Sequence, residues 1–566
     1  METPAELRPV PPASTPPAPN PAAIIVPRRH HEVLIEPPAA QLADFLATAR
    51  SIHPHHAAVA DTSIDSLASL ARQELMDAMI RFARKTGFPP PPADSASKPW
   101  VITGHQVEFY HPGVWSKVIL AHALAGQSGG VAIDLLVDHD TVDHLGFAVP
   151  QWNGPRLERK TVTWADDSAL PAEFLSAPQG GQKAQWLHTL EQFPLVQTDA
   201  LRDFTHVLRQ DSDSHYVRWM SRSRRTFENS FGIDVQHVPF SYLCSGVAWH
   251  SFVLLWLRHA PRWCNIYNSA LDHYRVEQRI INPGRPMPNL AVTAQELELP
   301  FWIYARNQPR QRLALQQDNG LCLQHESQRI DVTDLMTGPL LTAAETLRRR
   351  LAAAALHVRP RALTLTMFVR LLLSDLFIHG IGGALYDQMT DQVMNQLFGV
   401  RPAYGCASAG WLLPVAREID VRQADVPELK WRRHHLRSNP ELLAPPSSLT
   451  GKALDAFNRR RDLISEIARS LAEDRREHRR RGEQWLQRRA EFRDIHEIKA
   501  QLLALFQPQL DAMDLQMRRA EVTQNNVSVA SWREYFIALH PRASLQELIA
   551  EIQSRVQSQH GPEHTD

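Results

Sequence analysis

Three short stretches concentrate side chains able to hold and activate a small molecule. The first is Gly104-His105-Gln106, followed by His111, Gly113 and Lys117. Histidine donors, the amides of a helix first turn and a lysine are what a phosphate or carboxylate needs. The second is Asp138-His139-Asp140 with Asp143 and His144, the densest ligand-type cluster in the chain. It fits three chemistries. Mixed histidine and carboxylate ligands suit zinc, manganese or iron. Carboxylates at a strand end also recognise an amine, a hydroxyl or a sugar. An Asp-rich turn can also simply cap the next helix. The third is His379-Gly380-Ile381-Gly382-Gly383, where glycines let backbone N–H groups approach an anion. Tight packing explains such glycines about equally well. Singly, Lys117 reads as a surface lysine and His111 as a cap; the repetition of such clusters carries the functional reading.

Several chemistries lack their signature. Ser245-Gly246 has no GxSxG frame, and there is no HExxH and no Walker A sequence. The four cysteines, Cys244, Cys264, Cys322 and Cys406, are widely spaced with no CxxC. That excludes a zinc ribbon, disfavours a disulfide framework and fits a reducing cytoplasm. Cys406, in a Gly/Ala/Ser segment, reads as a small buried residue rather than a reactive thiol.

The elements that must position these groups follow from hydrophobic pattern. Trp100–Ile102 reads as a short buried strand broken by Thr103-Gly104. Pro112-Gly113 opens a helix with Val114, Val118, Ile119 and Ala121 on its apolar face. Ile133–Val137 reads as a second strand, so the polar groups collect where open α/β sheets place ligands. Strand-like and helix-like stretches alternate from 99 to 415, with strands at Val235–Val238 and Phe301–Tyr304, as in an α/β core. Ser214–Phe231 reads as a helix whose Arg218, Arg222, Arg224 and Arg225 form a solvated face. The apolar run before Gly380 leads to a helix beginning around Leu385.

Around this core, residues 1–28 read as a disordered or extended Pro-rich tail, and 29–98 as a helical segment and linker ending in Phe88-Pro-Pro-Pro-Pro92. Residues 416–566 read as helical. Leu454, Phe457, Ile464, Ile467 and Leu471 form one apolar stripe; Phe492, Ile495, Ile498, Leu502 and Leu505 form another. Two long antiparallel helices with a polar tip at Asp474–Gly482, or a coiled-coil pair, fit that spacing. Acids interleave with the run Arg475–Arg481, so a salt-bridged face is favoured over nucleic acid.

The chain has 566 residues, enough for two or three domains, and 61 basic against 61 acidic residues. A balanced charge argues against a global field for nucleic acid. No apolar run is long enough to span a bilayer, and the first residues lack a signal-peptide pattern, so a cytoplasmic protein is expected.

Together, Thr103-Gly104-His105-Gln106, then Pro112-Gly113 with Lys117, then Asp138-His139-Asp140 resemble the bacillithiol biosynthesis cysteine-adding enzymes. Those proteins carry a Thr-Gly-Gln-Gln turn, a following Gly-Pro with a helix lysine, and an Asp-His-Asp strand end. Phe377–Tyr386 is similar to their second Gly-rich motif, which also precedes a C-terminal coiled coil. The landmarks agree in order over roughly residues 100–520. The resemblance implies a Rossmann-type parallel-sheet core with insertions, related in shape to class I aminoacyl-tRNA synthetases, and a coiled-coil arm forming a homodimer. The implied reaction joins cysteine to glucosaminyl malate through an amide, in low-molecular-weight thiol synthesis. The region Gln106–Lys117 would occupy the place of the synthetase HIGH-type signature.

On this reading His111 and Lys117 stabilise charge at the activated carboxylate, and Asp138 or Asp140 orients or deprotonates the amine. His105, Gln106, His139, Asp143, His144 and His379 contact substrate. Gly104, Gly113, Gly380, Gly382 and Gly383 approach a nucleotide or other anion. ATP is a candidate co-substrate; no metal, nucleic acid or membrane partner is expected. Two positions leave the family pattern: His105 replaces the first Gln of the turn, and Gly380-Ile-Gly-Gly383 stands where the family motif ends Gly-Pro-Gly-Glu. Two alternatives stay open: a metal-dependent hydrolase centred on Asp138–His144, and a non-catalytic scaffold whose helical arm binds partners.

Overall fold

The computed structural model describes residues 16–48, 58–59, 62–317, 320–419, 426–443, 447, 449–476 and 485–557. In chain order the strands are β1 (Glu32–Glu36), β2 (Ala58–Val59), β3 (Thr62–Ser63), β4 (Trp100–Gln106), β5 (Val131–Val137), β6 (Gly146–Asn153), β7 (Arg156–Thr163), β8 (Gln236–Pro239), β9 (Glu296–Ala305), β10 (Gln311–Gln317), β11 (Leu321–His325), β12 (Gln328–Asp331), β13 (Leu356–Pro360), β14 (Leu376–His379) and β15 (Tyr404–Gly410). The protein is mixed α/β and divides into two compact units.

The larger unit takes residues 1–150, 159–413 and 531–566. Its main sheet has the order β1-β15-β14-β4-β5-β8. The five strands from β15 to β8 are mutually parallel, and β1 adds an antiparallel edge. Successive strands β4, β5 and β8 step outward on one side, whereas β14 and β15 lie on the other. The order therefore reverses between β4 and β14, and loops leaving those two strands diverge to open a crevice. Continuous burial of Trp100, Val101, Ile102 and Thr103 is what a parallel strand covered on both faces requires.

Thr103-Gly104 does not break β4, which runs on to Gln106 paired with β5. A Cβ at Gly104 would lie 3.0 Å from the Leu135 carbonyl oxygen, so glycine serves a close strand approach rather than a turn. The 29–98 stretch is not a separate helical segment. β1 pairs with β15, and the helix Ile64–Thr86 buries Leu67, Leu75, Ala78 and Met79 in the main core. Of the tail read as disordered or extended, residues 16–28 are held in place: Tyr404 N–H donates to the Pro17 carbonyl at 3.1 Å, and Asn20 caps the turn Pro21–Ala23. Residues 1–15 lie outside the described residues.

The helix Tyr216–Asn229 corrects a second expectation. Its arginines are paired, and two are buried: Arg224 is 1% exposed, pairs with the equally buried Asp134 of β5 and stacks 3.7 Å over Tyr110. Arg218 and Arg222 pair with Asp213 and Asp211 at 2.7 and 3.1 Å. A second, antiparallel sheet, β12-β11-β10-β9-β13, lies between β8 and β14 in the chain and supplies one wall of the crevice. The four cysteines are free and buried, and burial pushes the Cys406 thiol up to about 12.

The smaller unit takes 151–158 and 414–530, and the last segment, with the helix Arg542–Gln557, belongs to the larger unit. There Ile537 N–H donates to the Tyr110 carbonyl at 2.7 Å, and the Trp411 indole donates to the Ser544 carbonyl at 3.0 Å. Within the smaller unit the helices Gly451–Arg476 and Trp485–Leu505 run antiparallel. Leu449 packs with Ile498, Leu502 and Phe506 at one end, and Arg459 pairs with Asp494 at 3.8 Å further along. Of the predicted stripes, Ile467, Ile498 and Leu502 are buried, whereas Leu454, Ile464, Leu471, Phe492 and Leu505 are exposed. Residues 477–484, most of the expected polar tip, lie outside the described residues. No described helix is long and apolar enough to cross a membrane.

Candidate functional site

A cavity of about 360 Å³ lies at the C-terminal ends of β4 and β14, where the strand order reverses. β4 contributes Gly104, His105 and Gln106; the residues after β5 contribute His139 and Asp140. The helix Pro112–Ser128 contributes Gly113 and Lys117, with His111 at its N-cap, and His379 and Gly380–Gly383 line the cavity beside Lys117, not as an opposite wall. Twelve of the fifteen residues expected at the site are thus brought together.

Three are not. Asp138 is buried away from the cavity, accepting from Ser241 N–H at 2.9 Å and Ser241 Oγ at 2.5 Å. It holds the first turn of the short helix Phe240–Leu243, a segment distant in the chain, whereas the capping alternative expects the next helix along the sequence. Burial, with Glu173 nearby, raises its pKa to about 7. Asp143 and His144 are exposed, and His144 Nδ1 lies 3.3 Å from Asp167. Among the described residues these five side chains do not converge on one point; the group with metal-ligand spacing is instead His30, His31 and Glu547.

The two helix termini differ in a way spacing could not show. In the helix Pro112–Ser128, His111 Nδ1 accepts from Gly113 N–H at 3.1 Å, and Val114 and Trp115 N–H donate to the His111 carbonyl. That first turn offers no free amide, so Gly113 is structural: a Cβ there would lie 2.9 Å from the His111 ring and 3.0 Å from the Ala409 carbonyl. The helix Ile381–Phe398 begins four residues earlier than expected, with Gly380 as N-cap and no side-chain cap. Its first-turn residues line the cavity, and the N–H groups of an uncapped first turn suit an anion. Gly383 has its own reason. A Cβ there would lie 2.6 Å from His379 Nδ1, so a side chain at this position would press on that ring.

Charge in the cavity is weighted to the positive. Burial, ahead of nearby cations, pulls the pKa of His111 to about 3 and His139 to about 4 and lowers His105 and His379, so the four rings are neutral at pH 7. Asp140 accepts from Gln106 Nε2 at 3.2 Å and from Thr141 N–H at 2.9 Å, and pairs with Arg310, so its charge is already balanced. Arg361 pairs with Glu298 at 2.7 Å, and both Arg310 and Arg361 flank the Trp302 ring. Lys117 and Arg533 carry the unbalanced charge. Lys117 is 3% exposed and, among the described residues, donates only to the Gly104 carbonyl, at 2.7 Å. Arg533 donates to Ser408 Oγ at 3.1 Å and the Ala409 carbonyl at 3.4 Å.

Trp302, Arg310, Arg361 and Arg533 were invisible to local pattern. Trp302 lies in the strand expected at Phe301–Tyr304, Arg310 and Arg361 sit beside strands of the second sheet, and Arg533 comes from the C-terminal segment; the three arginines look like surface residues in their own stretches. No protein-family model matches the sequence. No curated protein matches it either.

Proposed function

We propose that this chain is a Rossmann-type ligase that joins an amino acid carboxylate to an amine through a C–N bond. By the resemblance of its motifs, the amino acid is cysteine and the amine an amino sugar. One observation carries this reading: Lys117 and the uncapped helix Ile381–Phe398 face one cavity where the strand order reverses, with Asp140 on its wall. The cationic side suits a carboxylate or phosphate and stabilises negative charge developing during acyl activation. Asp140, held by Arg310 and Gln106, suits recognition of an ammonium or sugar hydroxyl.

ATP fits as the co-substrate, its phosphates meeting Lys117, Arg533 and the amides of Gly382 and Gly383. The exposed apolar residues Leu454, Ile464, Leu471, Phe492 and Leu505 on the helical unit support an arm that pairs with a second copy. The test is product formation by the purified full chain from cysteine, glucosaminyl malate and ATP, read by mass spectrometry. The expected result is an amide product that falls sharply in Lys117→Ala and Asp140→Ala. Absence of product, together with no thermal shift on adding any of the three, would overturn the proposal.

A further inference from the structure

His379 ends β14 inside the cavity, in the surroundings of a base held in one orientation. Its Nε2 lies 2.8 Å from Asp387 Oδ2. Asp387 is fully buried and locked: Arg370 donates to the same oxygen at 2.6 Å, and Thr366 Oγ1 donates to the other at 2.7 Å. Arg370 is itself held by Asp391 at 2.6 Å and lies 4.1 Å over the Tyr404 ring. An ionised carboxylate only accepts hydrogen bonds, so the proton of the neutral ring sits on Nε2 and Nδ1 keeps its lone pair. Nδ1 has no hydrogen-bond partner among the described residues. It lies beside Gly383 in the uncapped first turn, where an anionic group would rest. The two carboxylates expected to take a proton from the amine are committed elsewhere: Asp138 to Ser241, Asp140 to Arg310.

We propose that His379 is the base of this cavity, taking a proton through Nδ1 from the ammonium of the amine substrate, with Asp387 and Arg370 as positioning residues. The proposal rests on the ligase reading above. In this step an N–H bond of the ammonium breaks, and its electron pair stays on nitrogen as the nucleophilic lone pair. The proton makes His379 an imidazolium paired with Asp387, and later passes to water. The charged and titratable groups around the ring are Asp387 on its own following helix, Arg370 on the helix Ala362–Leu372, Lys117 on the helix Pro112–Ser128 and Tyr404 on β15. Burial holds His379 neutral, Asp387 opposes that shift, and Arg370 and Lys117 add to it.

The test has two arms on the full chain. Nitrogen-15 NMR of histidine-labelled protein, with the His379 signal assigned by its loss in His379→Gln, is expected to place the proton on Nε2 at neutral pH. A proton on Nδ1 would overturn the proposal. In the assay with cysteine, glucosaminyl malate and ATP, His379→Gln is expected to lower kcat by roughly 10²–10⁴-fold with KM little changed. Imidazole added to His379→Ala restores turnover. Asp387→Asn moves the acid limb of the kcat/KM profile to lower pH, which a merely structural role would not do. An active wild type whose His379→Gln variant keeps its rate and pH profile overturns this proposal alone. A wild type that makes no product overturns the ligase reading and this proposal with it.

Discussion

The Lys117 ammonium donates to the Gly104 carbonyl at 2.7 Å, so one buried charge ties β4 to the helix that follows it at the floor of the cavity. Burial pushes its pKa from 10.5 down to about 8. Between those values the unfolded chain keeps a proton that the folded chain has shed, so this residue's contribution to stability rises with pH across that window. The full rise is roughly 3 kcal/mol. In Lys117→Met that rise disappears, as urea midpoints at about pH 8 and about pH 10 will show. Binding of inorganic pyrophosphate by the wild type, followed by calorimetry, weakens as pH rises through the same residue's pKa.

His111 accepts the Gly113 N–H only while neutral. Its pKa is about 3 against an ordinary 6.5, so the unfolded chain takes up the proton first as pH falls. The stability it supplies is complete above the ordinary value and is lost progressively toward the folded one. His111→Ala is expected to cost about 1 kcal/mol at pH 7, as for other lost N-caps, and to flatten the acid limb of the stability profile. Denaturant titrations across that range check both.

Gly383→Glu restores the carboxylate of the motif this chain resembles, yet its Cβ would lie 2.6 Å from a ring that Asp387 holds in place. The expected result is destabilisation of roughly 1–3 kcal/mol and no gain in activity. Gly382→Ala, whose Cβ would meet only the Tyr386 ring at 3.9 Å, is the control with a smaller effect in the same thermal melt.

Arg370→Met leaves Asp387 and Asp391 without their shared partner in a buried site. A loss of about 3–5 kcal/mol is expected from the uncompensated charge, measured by chemical unfolding.

Arg533→Ala removes a cation that reaches the cavity from the C-terminal segment and, among the described residues, bonds only to Ser408 and Ala409. Pyrophosphate affinity is expected to fall about tenfold or more, with the melting temperature little changed, because one charge-assisted contact is lost.

Much of the cavity was legible from residue order. Hydrophobic runs marked β4, β5 and the helix at Pro112, and polar residues just past buried strands point to a strand-end site because a parallel sheet buries everything else. Periodicity likewise marked the two long helices, since 3.6-residue spacing of apolar side chains is local information.

What local pattern could not reach is which neighbours each group meets. Arg224 reads as a solvated helix arginine until Asp134 lies beneath it. Asp138 and Asp140 are two residues apart and would share a face had the strand continued, yet they turn to different partners because β5 ends at Val137 and the chain turns there. Gly113 and Gly383 look like phosphate-cradling glycines; the fold shows that a Cβ at either would press on a histidine ring. The sequence by itself determined the elements and the chemical types gathered at their ends. Tertiary structure alone decided that His111 caps a helix, that His379 is backed by Asp387, and that Arg310, Arg361 and Arg533 arrive from distant segments. Those outcomes depend on long-range packing and on the desolvation that packing imposes, neither of which is encoded in any short window of the chain.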